Sequence, residues 1–135
     1  MTTRPLELSV SAEALRLLRP WLNEVVAGTP MMSQIGEIEL AVHEVAMNII
    51  DHAYGEQSDP TSSFEVSAEV AGDTLTVRLV DQGTEFEQWP VAPDPSIPQV
   101  RGYGMMIVDQ LASTVSHARA GTKNQWTLTF DGQKK

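Results

Sequence analysis

Leu6, Leu8 and Val10 alternate with polar neighbours, which predicts a half-buried strand over residues 5 to 10. The period then changes. Leu15, Leu18, Trp21, Leu22 and Val25 recur at spacings of three and four behind Ser11, a suitable N-cap, so a helix ending near Gly28 is expected. Pro20 falls deep inside that pattern and should kink or split the helix, because it lacks an N–H. The longest helical pattern follows, from Ser33 as cap to an exit at Gly55, with Ile38, Val42, Val45, Ile49 and Ala53 in one stripe. Glu44 and Asn48 stand four apart on a neighbouring face, which aims a carboxylate and a carboxamide at one point.

Period-two alternation returns after a polar, turn-rich run behind Gly55. Phe64, Val66, Ala68 and Val70 form one strand and Leu75, Val77 and Leu79 the next, with Gly72-Asp73 as a tight turn between them. The second strand runs out into Asp81-Gln-Gly83. Pro90, Pro93, Pro95 and Pro98 exclude regular structure from residues 84 to 100, so a lid of about 84–101 is expected. Arg101-Gly102-Tyr103-Gly104 then opens a second amphipathic helix carrying Met105, Ile107, Val108, Leu111 and Ala112. A last hairpin joins Val115–Arg119 to Trp126, Leu128 and Phe130 through a turn over residues 120–124. Hairpins with helices gathered separately imply an α+β two-layer sandwich: a mixed, largely antiparallel sheet with helices on one face.

The chain has 135 residues and 41% hydrophobic content, which fits a single domain, 1–135, with an adequate core. Without cysteine there is neither a disulfide framework nor a thiolate metal site. No leader pattern and no apolar run of membrane-spanning length occurs, so a cytoplasmic location without membrane association is expected. A net charge of −9 argues against direct nucleic-acid binding and favours a basic protein partner. Between Arg19 and Arg78 there is no Lys or Arg, so a phosphate near the long helix must be met by backbone N–H groups, a helix N-terminus or a metal ion. The P-loop and G-x-G-x-x-G signatures are absent.

Four pieces coincide in order: Glu44-x-x-x-Asn48 on a helix, Asp81-x-Gly83 ending a strand, a proline-rich lid, and Gly102-x-Gly104 opening a helix. Together they resemble the N, G1 and G2 boxes of the GHKL ATPase superfamily, over about Ser33 to Phe130, and imply the Bergerat, histidine kinase-like ATPase fold. The run from Glu44 to Tyr54 more closely resembles the bacterial anti-sigma factor serine kinases. That resemblance implies that Asp81, with Gly83 beside it, takes the exocyclic amine of adenine, selecting ATP. Asn48 would offer an oxygen to Mg2+, and Glu44 would accept the proton of the attacking hydroxyl. Gly102, Tyr103 and Gly104 would give main-chain donors to the phosphates, with Arg101, the only nearby cation, stabilising the charge that develops on the transferred group. His52 would lie near the phosphates and Thr127 would help hold adenine through a water. Bland readings stand beside these: a solvated face for Glu44 and Asn48, a turn former in Asp81, an idle lid arginine in Arg101, a structural imidazole in His52. Asp81-Gln-Gly-Thr-Glu85 and Val100-Arg-Gly-Tyr-Gly104 each lack a glycine that the family often has.

The function this resemblance implies is an anti-sigma factor with ATP-dependent serine/threonine kinase activity, which phosphorylates a STAS-domain anti-sigma factor antagonist in a partner-switching system and holds a sigma factor captive. A homodimer is expected. The alternatives are a nucleotide-binding partner-switching module with little kinase activity, and an α+β domain with a small-molecule pocket and no nucleotide.

Overall fold

In the computed structural model, which describes residues 4–9, 11–50, 63–81, 104–121 and 123–132, two hairpins set the frame. Strands β2 (Ser63–Ala71) and β3 (Thr74–Asp81) meet at a two-residue loop whose Gly72 takes a φ of 61°, a conformation that a Cβ disfavours. Strands β4 (Thr114–Ala120) and β5 (Lys123–Asp131) join the same way, with Gly121 at 62°. The loop is tighter than the predicted turn over 120–124, so Asn124 lies inside β5 and pairs with Arg119. With β1 (Leu6–Ser9) the sheet has the order β1-β2-β3-β5-β4. Every pairing among the described residues is antiparallel, so the sheet is more uniform than the mixed one expected. Period-two alternation assigns the faces. Phe64, Val66, Leu75, Val77, Leu79, Trp126, Leu128 and Phe130 are buried under the helices, while Glu65, Glu69, Arg78 and Gln125 are exposed on the other face.

Pro20 splits the first helical segment rather than kinking it. A 3-10 helix over Ala12–Leu17 gives way to α1 (Leu18–Val26), which makes Pro20 the third residue of the α-helix. N–H groups of a first turn have no intrahelical acceptor, so the missing donor costs nothing there. Ser11 caps this segment as expected, its Oγ accepting from the Ala14 N–H at 3.3 Å. Ser11→Ala should lower unfolding free energy by about 0.5–1 kcal/mol in urea melts, and an unchanged midpoint would mean that the cap contributes nothing.

The central helix starts differently from the expectation. Thr29, not Ser33, is the capping residue: its Oγ1 accepts from the Met31 N–H at 3.2 Å at the head of a 3-10 turn over Pro30–Gln34. Ser33 lies within that turn and donates to the Pro30 carbonyl. Pro30, preset for a first helical position, moved the start forward. The α-helix α2 (Ile35–Asn48) follows, burying Ile38, Ala41, Val42, Val45 and Ala46, and the winding loosens to π geometry at Ile49 and Ile50. The helix α3 (Gly104–Leu111) packs beside α2. An exposed Arg19–Glu39 ion pair at 2.9 Å links α1 to α2 and is worth at most about 1 kcal/mol. Val10, Ala53 and the predicted helix exit at Gly55 lie outside the described residues.

Candidate functional site

Two short chains of hydrogen bonds fix which ends of the elements meet. Gln34, just before α2, donates from Nε2 to the Gly132 carbonyl at 3.4 Å, and the Gly132 N–H donates to the Asp73 carbonyl. The start of α2 is thereby tied to the β2–β3 hairpin. A helix of 14 residues and a strand of 8 advance about 21 Å and about 26 Å respectively, so both finish at the opposite end of the layer. There Asp81 closes β3, and Glu44 and Asn48 occupy the last turns of α2. The end of α3 is anchored at the hairpin side, where Ser113 N–H donates to Thr129 O at 2.7 Å and Asp131 N–H donates to Ser113 Oγ at 3.0 Å. Gly104, its first residue, therefore faces the Asp81 end. The fold thus brings Glu44 and Asn48, Asp81 and Gly104 to one end of the layer.

Glu44 and Asn48 differ in exposure. The Glu44 side chain is 27% exposed and borders an open groove of about 440 Å³ with Gly36, Glu39, Leu40 and His43. His43 Nδ1 stands 4.0 Å from its Oε2. Asn48 is half-buried, and its Nδ2 is enclosed with no hydrogen-bond partner among the described residues. Protein interiors rarely leave such a donor unmet except where a site needs it.

Asp81 is not a solvent-facing turn former: it is 1% exposed, on the helix-covered face of the sheet. Burying a carboxylate is tolerated only with donors at hand. Asn124, directly opposite in register, supplies one, its Nδ2 donating to Asp81 Oδ1 at 3.1 Å. The carboxamide oxygen of Asn124 is met at 3.3 Å by both His117 Nε2 and Arg119 Nη1 from the edge strand. The His117 ring also lies 4.7 Å from that of the fully buried Trp126. Arg119 thus brings a basic side chain to this end, which the sequence reading had not assigned to it.

Sequence reasoning missed Asn124, His117 and Arg119 as a group. The signal was the alternation itself, since Asn124 shares the phase of Trp126, Leu128 and Phe130. The same phase corrects Thr127. It lies opposite Arg78 and Ser116 on the sheet face away from the helices, so the structure does not bring it to Asp81. His52, Gly83, Arg101, Gly102 and Tyr103, with the lid of about 84–101, lie outside the described residues.

Residues 8–130 match the family described as the histidine kinase-like ATPase domain. No curated protein matches the sequence. Among solved structures, one similar chain holds the RsbU and RsbW domains of a Mycobacterium tuberculosis protein, with 23% identity and a TM-score of 0.62 over 96% of this chain and 32% of that one. This chain therefore spans about a third of that chain's length. The histidine kinase domain of a blue-light activated histidine kinase from Erythrobacter litoralis aligns at 18% identity and a TM-score of 0.54, over 91% of this chain and 61% of that one. The Acinetobacter baumannii histidine kinase AdeS aligns at 13% identity and 0.53, over 99% and 70%. At these identities the likeness is one of fold. No helix among the described residues is long and apolar enough to cross a membrane.

Proposed function

We infer that this chain, which belongs to the histidine kinase-like ATPase domain family, is an ATP-dependent serine/threonine protein kinase acting on a STAS-domain anti-sigma factor antagonist. In alternation it would hold a sigma factor inactive, working as a homodimer. One observation carries the reading: the buried carboxylate of Asp81, the Glu44 and Asn48 pair, and the first residue of α3 meet at one end of the layer. The resemblance of the Glu44–Tyr54 run to anti-sigma factor kinases supplies the substrate class, and the fold shared with a chain containing an RsbW domain supports it.

Chemically, Asp81 offers an acceptor where adenine has an amine and guanine a carbonyl, which selects ATP. The N-terminal end of α3 offers backbone N–H groups and the positive end of a helix dipole to the phosphates. Glu44 takes the proton of the attacking hydroxyl as its oxygen bonds to the γ-phosphorus and the bond to the bridging oxygen breaks, releasing ADP. Mg2+, when bound, neutralises phosphate charge. Asn48 would hold it with the phosphates, since no three His, Asp or Glu side chains converge among the described residues.

Transfer of label from γ-labelled ATP to a serine of the antagonist is the direct test, and its absence with every STAS partner tried removes the kinase reading. ATP with Mg2+ at about 100 times its Kd should stabilise the protein by about 2.7 kcal/mol, and GTP at the same concentration should stabilise it far less. Glu85 and Val100, standing at glycine positions, favour a second reading, in which ATP binds in calorimetry but no phosphoryl group is transferred.

A further inference from the structure

Three side chains form a row across the sheet on its helix-covered face: Asp81 on β3, Asn124 opposite it on β5, and Arg119 opposite Asn124 on the edge strand β4. His117, two residues before Arg119, reaches the same carboxamide. We propose that Asn124 is a positioning residue for base recognition, held by Arg119 and His117 so that its amide fixes the Asp81 carboxylate toward the exocyclic amine of a purine. This rests on the reading that the chain binds ATP.

Chemistry assigns the amide's orientation. A guanidinium has donors and no acceptor, so the Asn124 atom 3.3 Å from Arg119 must be oxygen. An ionised carboxylate only accepts, so the atom 3.1 Å from Asp81 must be the NH2 group. His117 then carries its proton on Nε2, where it faces the same oxygen. Asn124 is therefore clamped between a cation at the sheet edge and an anion at the strand end. Both inner members are buried, at 0% and 1% exposure, so water does not compete for the bond, and hydrogen bonds in such surroundings strengthen one another. A carboxylate has about four lone-pair sites, more than the Asn124 amide occupies. What the row removes is rotation of the carboxylate, and a preorganised acceptor binds its donor more tightly than a mobile one.

A purely structural Asn124 and a positioning one differ in a measurable way. Calorimetry with Mg2+ would compare ATP with purine riboside triphosphate, which lacks the exocyclic amine. Wild type should prefer ATP by about tenfold or more. Asn124→Ala should lose most of that preference, its ATP affinity falling about tenfold while the amine-free analogue changes less than about twofold. Asn124→Ser keeps a shorter donor and should show an intermediate preference; it also decides the matter if the alanine variant does not fold. Equal weakening of both nucleotides in either variant overturns the inference while the reading that the chain binds ATP still stands. A gain in ATP affinity overturns it too, since Asn124 would then be competing with the base. If wild type binds neither nucleotide, the nucleotide reading itself fails.

Discussion

Glu44→Gln should transfer the γ-phosphoryl group to the antagonist about 10²–10⁴ times more slowly than wild type, the usual worth of a positioned general base. Its affinity for ATP with Mg2+ should stay the same or rise. The substitution preserves shape and removes only the capacity to take a proton, together with a negative charge that would repel phosphate. Glu44 suits the role by its access as well as by its carboxylate: it is 27% exposed and borders an open groove. His43, adjacent and 4.0 Å away, is the rival base, with a side chain 41% exposed. Label transfer in quenched time courses separates the two. A wild-type rate in Glu44→Gln, with His43→Gln inactive, reassigns proton abstraction to the imidazole.

The parts of this fold that were legible in the sequence are those where one local rule acts unopposed. Alternation through Phe64–Val70 and Leu75–Leu79 with a glycine between them leaves only one register in which every apolar side chain enters the core. Helix starts were less legible, because two rules competed. Ser33 and Thr29 are both good caps, and Pro30 decided for Thr29 by fixing the backbone one residue after it. Asn124 and Thr127 show the limit for the site. A polar residue just after a glycine reads as turn, yet the two-residue loop draws Asn124 into the strand and under the helices, while Thr127, odd in the alternation, turns away. Which face a polar residue takes follows from where the loop ends, and that depends on pairing rather than on the residue. Asp81 shows the reverse: its place at a strand end was plain from the chain, but its burial and its Asn124 partner needed the register.

Asn48→Leu should move stability in opposite directions with and without ligand. In the free protein Asn48 is half-buried at the end of α2, and its Nδ2 has no hydrogen-bond partner among the described residues. An unmet buried donor costs about 1–3 kcal/mol. Leucine fills a similar volume, has no polar atom to satisfy and favours a helix more. The ligand-free variant should therefore melt about 2–6 °C higher than wild type. Yet ATP with Mg2+, which should stabilise wild type by about 2.7 kcal/mol at 100 times Kd, should add little to the variant if, as proposed, Asn48 offers its neutral oxygen to the metal. A residue that lowers stability where it sits and is kept there by what it binds is expected at working sites rather than in cores. Scanning calorimetry of both proteins, with and without the nucleotide, reads the two effects in one experiment. A variant that melts lower than wild type when free, and is stabilised as strongly by ATP with Mg2+, would make Asn48 a structural amide and remove it from the site.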